Sequence, residues 1–340
     1  MSLSSSSFGK KLGNLFLSAI VGSGILFSAS PLAPVCAQPE RQDSPRSAGM
    51  DYLPDVPISV WQDNAVPTRG IAVCVHGLVM HGRVYDSMAR ELTKDGLMVV
   101  APDLRGYGRW QEADTLDPRV RYESSLSDLK ELITSLHEAH PDLPIFMVGE
   151  SLGAGLSIRV AEAMPDTVSG LVLSSPALKR RMYLEPEMVG QVASLMTNPM
   201  RQVDLVPYIK KFASEDPEIV QETIQDPYVR KHLNCLELMQ TADFIRGNFA
   251  HVSGVPARVP VLVLQGDKDR MLHHEAVKTM VSRLKSKDQT VRWLPGKGHV
   301  LIETSHIQPE TLAAIKGWLT EHMPVQSGEM DNELVSVNQK

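Results

Sequence analysis

The chain has 340 residues, a net charge of −6, only 5% aromatic residues, 16 methionines and three cysteines. That length accommodates one large α/β domain with an insertion, or two smaller domains. Mild acidity without a long basic run excludes nucleic acid as an expected partner. Three cysteines with no C-x-x-C or Cys/His ligand spacing exclude a disulfide-framed fold.

Residues 1–37 read as a secretory signal peptide. Two lysines and no acid precede an apolar stretch from Leu15 to Phe27, and small residues at Val35 and Ala37 suit cleavage after Ala37. Export to the periplasm or the medium is the expectation. A lipidated Cys36 and an organellar transit peptide are the alternatives, the first disfavoured by Val35 and the second by the absence of arginine. Residues 38–49 are a polar, proline-bearing leader. Cys74 and Cys235 read as free, buried cysteines rather than a bridge.

Ile58–Gln62 suggests an early strand, and Ile71–Val75 is an apolar run ending at His76-Gly77, as a buried strand would. Tyr85, Met88, Ala89 and Leu92 share one helical face that Gly96 closes, and Leu97–Ala101 is the next strand. Ser125 and Asp128 suggest a capping box for a helix with the stripe Leu126, Leu129, Ile133 and Leu136. The strand from Ile145 runs into Gly149-Glu150-Ser151-Leu152-Gly153. Leu152, Leu156, Val160 and Ala163 make the following helix, and Leu171–Leu173 the next strand. Buried strands alternating with helices imply a mostly parallel central sheet with helices on both faces.

From 177 to 253 the strand rhythm stops. Methionines 182, 188, 196, 200 and 239 mark apolar positions, and Pro199, Pro207, Pro217 and Pro227 interrupt a helical block that reads as a cap inserted into an α/β core of 50–176 and 254–323. The rhythm returns at Val261–Leu264. A helix with Val277, Met280, Val281 and Leu284 inward follows, then a strand from Thr290 to Leu294 and a helix that Pro309 opens with Leu312, Ile315 and Leu319 inward. Residues 324–340 are a polar tail.

G-x-S-x-G between a strand and a helix is the layout of a nucleophile elbow. The turn needs small residues two positions either side of the serine, and the helix start aims free N–H groups at the reacting oxygen. A serine needs an oriented base. Gly266-Asp267-Lys268-Asp269 follows one later strand and Gly296-Lys297-Gly298-His299 follows the last, so Ser151, Asp269 and His299 would converge at the strands' carboxyl ends in the order Ser, Asp, His. Asp267 is expected to satisfy turn N–H groups instead. The backbone N–H groups of Leu78 and Leu152 fit an oxyanion hole, each donor worth roughly 3 kcal/mol in the transition state. His76, His81, His273 and His274 lack metal-ligand spacing and read as solvated or hydrogen-bonded. No metal or organic cofactor is expected.

From Gly70 to His322 the chain resembles the monoacylglycerol lipase/lysophospholipase group of α/β-hydrolases, also described as serine aminopeptidase-like. The resemblance rests on Val75-His76-Gly77, Pro102–Gly108, Gly149–Gly153, Gly266–Arg270 and Gly298–Leu301, with Gln225–Arg230 and Ala242-Asp243 in the cap. It implies Ser151, Asp269 and His299 as the triad, Leu78 and Leu152 as oxyanion donors, and a small acyl ester as substrate. After His76-Gly77 the group usually has a second glycine and an acid before its next histidine, where this chain has Leu78-Val79-Met80-His81. Tyr107 and Arg109 replace a common His and Ser at positions expected to border the leaving group. Activity is expected to fall at acid pH as His299 protonates. Acyl transfer, amide or peptide hydrolysis, and non-catalytic lipid binding under the cap stay open, as does transient contact of the cap with a membrane surface.

Overall fold

The computed structural model describes residues 55–112, 117–178, 198 and 200–324. The expected signal peptide, the leader, the tail from 325 and Met182, Met188 and Met196 lie outside the described residues. The strands β1 (Ile58–Trp61), β2 (Gly70–Val75), β3 (Leu97–Pro102), β4 (Ile145–Glu150), β5 (Val168–Ser174), β8 (Val261–Gly266) and β9 (Gln289–Leu294) form one sheet in the order β1-β3-β2-β4-β5-β8-β9. β1 runs antiparallel to β3, and every other pairing is parallel.

The apolar runs of β2, β3, β4 and β8 are continuous because both faces of the sheet are covered. Ile71, Val73, Val75, Met147 and Val263 point to one face. There they pack with α2 (Tyr122–Ala139), α3 (Leu152–Ala163) and α7 (His274–Arg283). Ala72, Cys74, Phe146, Val148 and Leu262 point to the other, under α1 (Asp86–Thr93) and α8 (Pro309–His322). The chain leaves β2 for β3 on one side and β4 for β5 on the other, so the loops after β2 and β4 flank the switch point where open α/β sheets place their ligands.

Several expectations change in detail. α2 begins at Tyr122, one turn before the expected capping box, and Ser125 and Asp128 instead hold Arg105 through its backbone N–H and its guanidinium. Between β5 and β8 the insertion is not wholly helical. β6 (Gln202–Asp204) pairs antiparallel with β7 (His232–Asn234), beside α4 (Val206–Phe212), α5 (Pro217–Gln225) and α6 (Cys235–His251). Pro207 and Pro217 stand in the first turns of α4 and α5, so they start helices rather than interrupt one. Met200 and Met239 are solvent-exposed. Cys74 is buried, Cys235 only half-buried, and both are free.

Two glycines set the approach of α3 to the sheet. A Cβ on Gly153 would lie 1.8 Å from the Val75 carbonyl oxygen, and one on Gly149 would lie 2.5 Å from the Gly153 backbone. Gly153→Ala should therefore destabilise by about 3 kcal/mol or more. Gly317 sits in α8 with no atom within 4 Å of an added Cβ, so Gly317→Ala should stabilise by about 0.5–1 kcal/mol. Urea melts of the two variants check this opposite pair of signs.

Candidate active site

Ser151 stands between β4 and α3 at φ 54°, ψ −112°, a region L-residues avoid. Its amide donates to the Ser174 carbonyl at 2.9 Å, and its own carbonyl accepts from Ala177 N–H at 3.0 Å. The end of β5 thus holds the turn that the two glycines permit.

The loops after β8 and β9 bring Asp269 and His299 to this serine. His299 Nδ1 lies 2.8 Å from Asp269 Oδ2, and His299 Nε2 lies 2.9 Å from Ser151 Oγ. Asp269 is buried, which by itself pushes its carboxyl up. The charge and hydrogen bond of His299, Gln265 Nε2 at 2.9 Å and Met271 N–H at 2.7 Å outweigh burial and hold it down at about 2. An ionised Asp269 can only accept, so His299 Nδ1 carries the proton and Nε2 is left to accept from the serine hydroxyl. The His299 backbone is fixed from both sides: its N–H donates to Ala213 of the insertion, and its carbonyl accepts from Ser175 Oγ at 2.7 Å. Asp267 accepts from Gly296 N–H at 2.7 Å, the turn-holding part expected of it.

The loop after β2 closes the other side. Gly77 lies so near Ser151 that an added Cβ would be 3.4 Å from Ser151 Cβ. Leu78 follows it, and among the described residues nothing accepts a hydrogen bond from the Leu78 or Leu152 amide. Val79 has φ 66°, the left-handed region that suits glycine and strains a β-branched residue. Its position is where the resembling group carries its second glycine. Arg230 of the insertion donates its N–H to the Val79 carbonyl at 2.8 Å. The Arg230 guanidinium in turn binds the carbonyls of Gly106 and Pro118 and the Glu237 carboxylate. His81, buried, meets Asp226 at 3.0 Å. The insertion is therefore strapped to the loop that carries the Leu78 amide.

Tyr107 and Arg109, expected to border the leaving group, are engaged within the fold. Tyr107 is fully buried, bonded to Tyr122 at 2.8 Å and edge-on to His76. Arg109 binds buried Asp103 at 2.7 Å and reaches Ile58 and Ser59 of β1. Sequence reasoning also missed Glu150, whose carboxylate takes the N–H groups of Leu301, Ile302 and Glu303 directly after His299. Its position inside G-x-S-x-G was the available signal. His273 and His274, at the start of α7, are only half-buried.

A serine lifted between strand and helix, hydrogen-bonded to a histidine that an acid orients at the ends of a parallel sheet, defines an α/β-hydrolase. The chain belongs to the serine aminopeptidase, S33 family (Hydrolase_4), whose model matches residues 66–305. It is 28% identical over 272 residues to a monoacylglycerol lipase of Mycolicibacterium smegmatis, covering 78% of this chain and 92% of that protein. It is similar in structure to the monoacylglycerol lipase of Paleococcus ferrophilus, with TM-score 0.64 and 27% identity over 78% of this chain and 99% of the other. A soluble variant of the Saccharomyces cerevisiae monoglyceride lipase, solved with a substrate analog, shares the fold at TM-score 0.67 and 19% identity, over 79% and 92% of the two chains.

His76 is buried with Nδ1 on the Gly77 carbonyl and Nε2 accepting from Leu104 N–H, an arrangement only the neutral ring can make. Burial lowers it from its usual 6.5 to about 4. The unfolded chain then binds the extra proton first on acidification, so this residue's contribution is present above pH about 6.5 and is lost, by about 3 kcal/mol, as pH falls toward 4. Comparing urea stability of the wild type and His76→Gln at pH 7 and pH 4 isolates the effect. The difference between them should move in favour of the variant at the lower pH.

Proposed function

We propose that this protein is a serine ester hydrolase acting on monoacylglycerol- or lysophospholipid-type esters, with Ser151 as nucleophile. The observation that carries the reading is the continuous hydrogen-bonded chain from Asp269 through His299 to Ser151 Oγ, at 2.8 and 2.9 Å. His299 Nε2 takes the hydroxyl proton as Ser151 attacks the ester carbonyl. Asp269 stabilises the imidazolium, and the Leu78 and Leu152 amides receive the oxyanion. The imidazolium then protonates the departing alcohol, leaving an acyl-serine. Water, deprotonated by the same histidine, releases the fatty acid and restores the serine. The names of the relatives support a monoacylglycerol-type substrate.

Acyl transfer would use the same acyl-serine with another alcohol as acceptor, and product analysis separates the two. The exposed side chains of Leu236 and Met239, one turn apart on α6, together with Met200 before β6, support transient contact of the insertion with a lipid surface. Export with cleavage after Ala37 rests on the charge and apolar pattern of residues 1–37.

Hydrolysis of short- and long-chain p-nitrophenyl esters, with Ser151→Ala alongside, tests the reading. The variant should lose at least about 10⁴-fold in kcat while keeping its melting behaviour. Undiminished turnover by Ser151→Ala would remove the serine from the mechanism. Comparing the two chain lengths reads whether the site admits a fatty acyl chain.

A further inference from the structure

Two buried glutamates lie behind Ser151, and neither is part of the hydrogen-bonded chain above. Glu150 precedes the serine. Glu303 lies four residues past His299, and both are at most 3% exposed. Their hydrogen-bond surroundings differ. Glu150 accepts from four donors: Ser174 Oγ at 2.6 Å, and the N–H groups of Leu301 at 2.9 Å, Ile302 at 3.3 Å and Glu303 at 3.1 Å. That many donors suit a carboxylate.

Glu303 Oε1 accepts from Gly77 N–H at 2.5 Å and lies 3.0 Å from the Tyr85 hydroxyl. The same hydroxyl lies 2.8 Å from the Val75 carbonyl oxygen, which can only accept. Tyr85 has one hydrogen for two oxygen neighbours. If that hydrogen goes to Val75, the second contact needs a hydrogen from Glu303.

We propose that Glu303 is a positioning residue held as an un-ionised carboxylic acid. It donates to Tyr85 and accepts from Gly77 N–H, and so fixes the turn that presents the Leu78 amide. Ionised Glu150 fixes the His299 loop in parallel. The inference rests on Ser151 being the nucleophile and names the support of that same site.

On balance the surroundings of Glu303 favour its neutral form. Burial raises its carboxyl well above the usual range, the negative charge of Glu150 on β4 adds to this, and the Gly77 N–H only partly opposes it. Cys74 of β2 is itself pushed up by burial and by Glu303, and Tyr85 is raised the same way, so neither supplies a compensating charge. Burial raises Glu150 as well, but the Ser174 hydroxyl, His299 and the Leu301 and Ile302 N–H groups all favour its ionised form, a set of donors Glu303 lacks. On the outer side Glu222 takes the Thr304 hydroxyl and the Ser305 N–H, and His306 faces Glu218 at 3.2 Å. A second negative charge beside the forming oxyanion would oppose the reaction. Ionisation of Glu303 at alkaline pH should therefore lower kcat, with the neutral acid as the competent form.

The test joins an infrared spectrum with a pH–rate profile. At pH 7 the wild type should show an un-ionised carboxyl band that Glu303→Gln removes, a readout independent of activity and of the role of Ser151. Glu303→Gln keeps an acceptor for Gly77 and cannot ionise. It should stay within about tenfold of wild-type kcat at neutral pH, with its alkaline limb abolished or moved upward. Tyr85→Phe removes the acceptor of the Glu303 proton and should shift the same band in the otherwise native chain, which keeps the test open if Glu303→Gln does not fold. An unchanged alkaline limb, no band lost in Glu303→Gln, no band shift in Tyr85→Phe, or a folded Glu303→Gln more than about 100-fold slower at neutral pH would each overturn the proposal.

Discussion

Ser151 holds a backbone conformation that costs of order 1–3 kcal/mol, and the rest of the site depends on that cost being met elsewhere. The Ser174 carbonyl and the Ala177 N–H clamp the turn, and Gly149 and Gly153 let α3 come down onto β2 and β4. Because β4 adjoins β2 at the point where the strand order reverses, the clamped serine stands directly beside the Gly77 turn. The loops after β8 and β9 are then carried to the same end of the sheet by parallel pairing alone. A shift of one strand by one residue would turn its side chains to the other face and separate the three groups.

Charge is distributed around the serine by local hydrogen bonding more than by depth. Asp269, Glu150 and Glu303 are all buried carboxyls, yet Asp269 sits at about 2 while the two glutamates are raised. Asp269 faces an imidazole and the Met271 and Leu272 N–H groups, whereas Glu303 faces another acid, a phenol and one amide. Separating the ionisation of neighbouring acids by their surroundings is a general means of giving them different work. Here one orients the histidine that meets Ser151 Oγ, and the others brace the loops on either side.

The sheet was legible because strands covered on both faces read as unbroken apolar runs, and Ile71–Val75, Leu97–Ala101 and Val261–Leu264 all match their strands to within two residues. The meeting of Ser151, Asp269 and His299 was legible because each follows a strand at its carboxyl end. Local pattern could not give the β6–β7 pair, since three-residue strands carry no usable period. Nor could it give the start of α2, because Ser125 and Asp128 carry the side chains of a cap while serving Arg105 instead. The contacts of Tyr107 and Arg109 were not legible for a related reason: their partners, Tyr122 and Asp103, are set by tertiary packing. Glu303 is a further case. A glutamate three residues before a histidine in a loop looks solvent-facing until the Gly77 turn and Tyr85 are folded over it.

The central claim is that Ser151 forms a covalent acyl intermediate. The most direct measurement is brief reaction with a slowly turned-over carboxylic ester, acid quench and peptide mapping by mass spectrometry. The account predicts one acyl group per chain, on the peptide carrying Ser151, appearing before steady-state product and vanishing as turnover completes. Steady ester hydrolysis with no adduct on that peptide, or an adduct on a different side chain, would contradict it.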